Sequence, residues 1–145
     1  MDFLVSIIAG SVSGILLAIL YRRHLGTGIF PQTFHLFTIT AVMIGCTEEI
    51  VFRGFLQEYV RPVNGAFSVI FSTLSHTGYK IFLFLSPFAH ADIDIGFLAF
   101  YTSVVGLLFG IMKNLTGNLT APLISHALFD LLVYGEYLTA PWWVW

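Results

Sequence analysis

The chain has 145 residues, which is the length of a single domain. Hydrophobic residues make up 57% of it, charged residues only 10%, and the mean hydropathy is +0.88, whereas ordinary globular chains carry about 25% charge. The net charge of -2 provides no basic surface for nucleic acid, and the single cysteine, Cys46, excludes an internal disulfide and a cysteine-rich metal site. These totals predict one integral membrane domain.

The first apolar segment predicts a membrane helix that begins at Phe3 and ends at Leu20. It carries no charge and is followed by a cationic and aromatic sequence at 21–24, which is typical of a membrane interface. It is too long for the apolar part of a signal peptide, so we expect it to be retained. Gly10 and Gly14 have the spacing that lets another helix approach closely, although glycine is also simply common in membrane helices.

The predicted fold is an all-α, polytopic transmembrane bundle with about five spans, each near the length that a bilayer requires. A single domain covers residues 1–145, and the approximate spans are 3–20, 33–60, 66–85, 95–112 and 119–139. Residues 86–95 are predicted as a solvated loop rather than a metal cluster, although His90, Asp92 and Asp94 occur there. The tryptophan-rich tail at 141–145 is predicted as an interfacial anchor.

Three charged residues follow the apolar run 34–46 of the second span, namely Glu48, Glu49 and Arg53. An ionised side chain at the centre of a membrane helix costs roughly 2.5–3.5 kcal/mol, so such residues are functional candidates. Glu49 and Arg53 are four positions apart and can pair on a helix. Glu48 is turned about 100° away and has no partner within its own helix. The alternative is a set of interfacial charges that reach water and end the helix.

Further ionisable residues occur in the third and fifth spans. His76 lies near the middle of the third span, where it serves either a site or helix packing, and Lys80, one turn later, is expected to reach the membrane surface. His126 and Asp130 are four positions apart on the fifth helix and share one face. Because polar groups within a membrane need polar partners, we expect these residues and Glu48 to meet in one hydrated pocket.

The motifs that are missing narrow the chemistry of this pocket. The sequence has no G-x-S-x-G nucleophile motif and no H-E-x-x-H zinc motif, and Cys46 lies in an apolar stretch that disfavours a thiolate. What is left is a glutamate with two histidines. This set fits either a water activated by Glu48 as general base or a divalent metal such as zinc, held by Glu48, His76 and His126.

The ordered motifs resemble those of the CAAX-protease and bacteriocin-processing (CPBP) family of glutamic intramembrane endopeptidases, which includes the type II CAAX prenyl endopeptidase. The matching residues are Glu48-Glu49-x-x-x-Arg53, then His76, then His126-x-x-x-Asp130. The resemblance implies that Glu48, aided by His76, holds and deprotonates the attacking water. It also implies that His126 and Asp130 stabilise the oxyanion of the tetrahedral intermediate.

The same resemblance gives Glu49 and Arg53 a supporting role and implies a site without a metal, with zinc as the alternative. The chain departs from the family at two positions, because Ser72 stands where a phenylalanine is frequent and Asp130 stands where many members have asparagine. An ionised aspartate cannot donate to an oxyanion. Asp130 therefore either is protonated or keeps His126 as the cation that donates.

The predicted function is hydrolysis of a peptide bond by an intramembrane protease acting on a membrane-tethered protein or peptide terminus. Its expected location is integral to a membrane, in the inner membrane of a prokaryotic cell, and its expected partners are the substrate and the bilayer, without nucleic acid. The sequence does not determine an oligomeric state. Two other classes stay open: a non-catalytic immunity or scaffold protein that keeps the pocket for structure, and a small proton-coupled transporter with a carboxylate–histidine relay.

Overall fold

The computed structural model describes residues 3–85 and 94–139. Within these ranges every regular element is a helix, which confirms the all-α prediction. Most of the predicted loop at 86–95 and the whole aromatic tail at 141–145 lie outside the described residues. The elements are α1 (Phe3–His24), α2 (Phe37–Glu49), a π-helical segment (Ile50–Leu56), α3 (Gln57–Val60), α4 (Gly65–Leu85), α5 (Ile95–Thr116) and α6 (Thr120–Val133).

The second helix is continuous from 37 to 60 because α2, the π-helical segment and α3 follow one another without a break. It begins at Phe37 and not near the predicted residue 33, since the chain before it is tied to the far end of α6 by a hydrogen bond from the His35 amide to the Gly135 carbonyl, at 2.9 Å. The same junction ends α6 at Val133, short of the predicted 139. The π-helical turns start directly after Glu49, and such turns are frequent at functional sites.

The fold is polar inside and apolar outside. More of the buried side chains among the described residues are polar or charged than hydrophobic. Large apolar side chains point outward along the helices, for example Phe3, Leu16, Phe100 and Leu115. A soluble protein rarely exposes so continuous an apolar surface, whereas a lipid-facing helix requires one. By length and composition α1 and α5 are able to cross a membrane, and α6 is a shorter apolar helix.

Two glycines of α1 bring it directly against α6. A methyl group on Gly10 would lie 2.6 Å from the carbonyl oxygen of Ala121, and one on Gly14 would lie 2.5 Å from that of Ser125. On the same face, the hydroxyl of Ser13 donates to that of Ser125 at 2.9 Å. The close approach expected from the G-x-x-x-G spacing is therefore present, and it fixes the helix that carries His126 and Asp130.

A second glycine pair lets α5 pack over the polar face of the second helix. A methyl group on Gly106 would lie 3.1 Å from Nη2 of Arg53, and one on Gly110 would lie 3.3 Å from Oε1 of Gln57. The Gln57 side-chain amide donates to the Gly110 carbonyl at 3.0 Å. The glycines of α5 thus leave room for polar side chains that are entirely within the protein.

Arg22 joins the loop after α1 to the end of α6. Its side chain is only 2% exposed and donates to the carbonyls of Gly28 at 2.6 Å and Leu132 at 3.0 Å, and to the carboxylate of Glu136 at 2.9 Å. Within the predicted interfacial flank at 21–24, Arg22 is thus buried in the protein. A hydrogen bond from the Gln32 amide, together with Arg22, lowers the pKa of Glu136 below its usual value.

Candidate active site

The six candidate site residues form one cluster, and four of them, Glu48, His76, His126 and Asp130, line an internal cavity. Glu48 and Glu49 come from α2, Arg53 from the π-helical segment, His76 from α4, and His126 and Asp130 from α6. All are buried except His126, which is partly buried. Side chains from three separate parts of the sequence are thus held within hydrogen-bonding range, in the shared pocket that the sequence predicts.

Glu48 is bound by two residues of α4. Its Oε2 lies 3.2 Å from Nε2 of His76, and its Oε1 forms an ion pair with the ammonium group of Lys80. The sequence correctly gives Glu48 no partner on its own helix. The expectation that Lys80 extends to the membrane surface is wrong, because His76 and Lys80 are one turn apart and both point to the same carboxylate.

The hydrogen bonds of His76 identify which ring nitrogen carries the proton. Nδ1 lies 3.2 Å from Nη1 of Arg53. A guanidinium has donors and no acceptor, so Nδ1 must be the acceptor. Nε2 then carries the hydrogen and donates it to Glu48. His76 is therefore a neutral imidazole that presents one N–H group to the carboxylate.

Glu49 and Arg53 form the ion pair predicted from their spacing, at 3.2 Å, and both side chains are 0% exposed. The same Oε1 of Glu49 lies 2.8 Å from Nδ1 of His126. Because Glu49 is an ionised acceptor, Nδ1 of His126 donates to it. This pair therefore does more than neutralise itself: Arg53 orients His76 and Glu49 orients His126.

The remaining nitrogen of His126 faces two carboxylates. Nε2 lies 3.9 Å from Oε2 of Glu48 and 3.7 Å from Oδ2 of Asp130. Both distances exceed a direct hydrogen bond, and distances in this range are commonly bridged by a small polar molecule. Oε2 of Glu48 and Nε2 of His126 consequently form the two sides of a polar gap at the end of the cavity.

Gly45 shapes this gap, and sequence reasoning missed it. A methyl group on Gly45 would overlap Oδ2 of Asp130 and lie 2.8 Å from Cδ2 of His126. The sequence signal that could have found it is its position three residues before Glu48, which places both residues on the same helix face.

Ser72, which stands where the family frequently has a phenylalanine, has a structural role. Its hydroxyl donates to the Phe52 carbonyl at 2.7 Å and joins α4 to the π-helical segment.

The cavity has a volume of about 440 Å³ and runs from the polar gap to His24 of α1 and Asp94, which caps α5, a size within the range of about 300–1,000 Å³ for ligand pockets. Aromatic side chains contribute to its walls, among them Tyr21, Phe97, Tyr101, Phe129 and Tyr134. A second, more open groove reaches Glu48 along the outer side of α2, beside Tyr79 of α4. Glu48 can therefore be reached both through the cavity and through the outer groove.

The described residues contain no group of three histidine, cysteine, aspartate or glutamate side chains that could hold a metal ion. In the proposed zinc set, His76 instead donates a hydrogen bond to Glu48.

Fold and site together define a helical protein with an apolar exterior and a buried glutamate–histidine centre. A family model described as Type II CAAX prenyl endopeptidase Rce1-like matches residues 30–132, and the chain belongs to this family. The match confirms the CAAX-protease resemblance, covers every candidate site residue and places the chain in a family of membrane-embedded proteases. No curated protein and no solved structure matches the chain.

Proposed function

We propose that the protein is an intramembrane endopeptidase that hydrolyses a peptide bond in a membrane-associated peptide or protein terminus, with Glu48 as the general base. The observation that carries this proposal is the placement of Oε2 of Glu48, 3.2 Å from Nε2 of His76 and 3.9 Å from Nε2 of His126, at the end of a cavity. A base and a hydrogen-bond donor on opposite sides of one gap are what addition of water to a carbonyl requires.

In the proposed mechanism, a water molecule binds at Oε2 of Glu48. Glu48 takes one proton from it, and the oxygen attacks the carbonyl carbon of the scissile bond. The neutral His76 donates to the same carboxylate and holds it in place. When the tetrahedral intermediate collapses, the C–N bond breaks and Glu48 passes its proton to the leaving amine. The products are a carboxylic acid and an amine, and Glu48 is again ionised at the end of the reaction.

His126 is the proposed oxyanion donor. Its Nδ1–H is committed to Glu49, so it donates to the substrate only if Nε2 also carries a proton. Asp130, with Oδ2 3.7 Å from Nε2, favours that cationic form. This geometry supports the second of the two roles considered for Asp130, in which it acts through His126 and does not itself donate to the oxyanion.

The walls of the cavity support a substrate with an apolar part next to the scissile bond. Aromatic side chains surround the passage from the gap to the ends of α1 and α5, and the family description names prenyl endopeptidases. We therefore propose a lipid-modified or strongly hydrophobic peptide end as the substrate class. The apolar exterior supports a position within a bilayer, which we propose to be a prokaryotic inner membrane.

The test uses the protein purified into liposomes and a farnesylated C-a-a-X peptide with a quenched fluorophore as probe. Two single variants are compared with wild type, Glu48→Gln and His126→Ala. Each is expected to lower kcat by about 10²–10⁴-fold, the usual contribution of a general acid or base. Glu58→Gln is the matched control, because Glu58 pairs with Lys113 and Arg61 and does not line the cavity in the described part of the chain. Cleavage at the wild-type rate by Glu48→Gln would refute the proposal.

The metal alternative has its own test. We propose a site that works without a metal, so protein treated with a strong chelator should hold less than one equivalent of zinc and keep its kcat. Stoichiometric zinc together with loss of activity on its removal and recovery on its return would instead assign Glu48, His76 and His126 as metal ligands.

A further inference from the structure

Lys80 is the one cation that reaches Glu48 from α4, and neither the family motifs nor the mechanism above gives it a role. It lies four residues after His76, so both side chains leave the same face of α4. They contact different oxygens of one carboxylate: Lys80 pairs with Oε1 and His76 with Oε2. The two oxygens of Glu48 are therefore not equivalent.

The position of Lys80 makes this contact part of the site. Its side chain is 15% exposed and lines the same cavity as Glu48, His126 and Asp130. Its ammonium lies 5.9 Å from the centre of the Tyr79 ring. A lysine that only needed to reach water would extend along the helix surface, whereas this one is directed inward to a carboxylate.

The charges around Glu48 show what Lys80 contributes. Glu49 and Asp130 are the other carboxylates that face the centre, from α2 and α6. Arg53 is already committed to Glu49. Without Lys80, the partners of Glu48 among the described residues would be histidines alone, and its ionised form would be disfavoured by neighbouring carboxylates in a buried site. With Lys80, the carboxylate that must accept a proton from water has its own fixed counter-ion.

We propose that Lys80 is a positioning residue for the hydrolysis: by binding Oε1 of Glu48 it directs Oε2 toward the gap in front of His126, where the water is deprotonated. This inference rests on the proposed role of Glu48 as general base. It assigns Lys80 no contact with the substrate. Its loss should therefore lower kcat and leave KM nearly unchanged.

The experiment uses Lys80→Ala in liposomes with the farnesylated C-a-a-X probe. A fall in kcat of about 10²-fold is expected, the size of effect that misplacement of a reacting group by about 1 Å produces, with KM within about threefold of wild type. Added ethylammonium, which places an N–H-bearing cation in the space left by the lysine, should raise kcat in a saturable manner. Tetramethylammonium has the same charge and no N–H group, so it should not.

Two further variants separate this role from a structural one. Lys80→Met fills the space without a charge, so it should show the same fall in kcat and no response to ethylammonium, and it also serves if the alanine variant fails to fold. Lys113→Ala is the matched control, because Lys113 is a buried lysine, 8% exposed, that pairs with Glu58 at 2.6 Å outside the cavity. Its kcat should equal that of wild type and should not respond to amines.

The outcomes distinguish the two proposals. An inactive Glu48→Gln with wild-type kcat in both Lys80 variants overturns the role of Lys80 alone. A fall in kcat that ethylammonium does not relieve in Lys80→Ala also overturns it, since the effect would then be structural. An active Glu48→Gln overturns the proposed function itself.

Discussion

Gly45 offers a sharp test of the proposed centre, because a single methyl group there enters the space occupied by the site. On Gly45→Ala the new carbon would overlap Oδ2 of Asp130 and lie 2.8 Å from Cδ2 of His126. Ordinary contacts begin at 3.4 Å, so the histidine ring must move by 3.4 − 2.8 = 0.6 Å and the carboxylate by more. Both are side-chain atoms that can shift, so the helices need not separate.

The expected changes in stability and in kcat differ in size because the atoms that must move belong to the side chains of the site. Overpacking costs typically about 1–3 kcal/mol, and alanine in place of a helical glycine regains about 1 kcal/mol, so the free energy of unfolding should change by no more than about 2 kcal/mol. Activity should respond far more strongly, because misplacement of a catalytic group by about 1 Å costs about 10²-fold. We therefore expect a folded protein with a kcat reduced by about 10²-fold.

The assay compares kcat on the farnesylated C-a-a-X probe with the thermal midpoint of unfolding in the same detergent. Gly78→Ala is the matched control, since Gly78 is also helical and a methyl group there meets no atom within 4 Å. It should keep wild-type kcat and gain slightly in stability. Wild-type kcat in Gly45→Ala would show that the gap in front of His126 is not where the reaction occurs, and would refute the reasoning.

Three further predictions concern the fold. Gly14→Ala pushes a methyl group against the α6 backbone, which cannot move aside alone, so a loss of stability of about 1–3 kcal/mol is expected in chemical unfolding. Arg53→Met removes the guanidinium from the fully buried Glu49, which keeps its contact with His126, and should cost about 3 kcal/mol; an unchanged unfolding midpoint would contradict the assigned ion pair. The pKa of Glu136 is lowered in the folded protein, so its contribution is complete above its usual value of 4.5 and is lost as pH falls through the lower, folded value. Protection of the Gln32 amide from hydrogen exchange, taken relative to the intrinsic rate at each pH, should fall in that acidic range, and unchanged protection would argue against the contact.

Several features could be predicted because they depend on residues close together in the chain. The apolar runs gave the helices, and the spacing of four gave the Glu49–Arg53 pair. The order of the polar motifs gave the family, which the match over 30–132 confirms. The limits of the second and last helices were less accurate, since they are set by a contact between His35 and Gly135, a hundred residues apart.

Other features depend on distances between helices. Lys80 looks like an interfacial lysine in sequence, and only the packing of α4 beside α2 turns it toward Glu48. Arg22 likewise belongs to a cationic flank in sequence but is buried against α6. Similarly, nothing local to His76 specifies its tautomer, which is decided by the approach of Arg53.

The sequence by itself thus determined which residues must find polar partners, because an ionisable side chain on an apolar helix is costly when it faces lipid. It also determined that Glu48 could not satisfy that need on its own helix. Only the tertiary structure decided which partner each group took, and through Gly45 how much room was left between them. That choice depends on the separation and rotation of packed helices to within about 1 Å, the scale on which hydrogen bonds and catalytic geometry are made or lost.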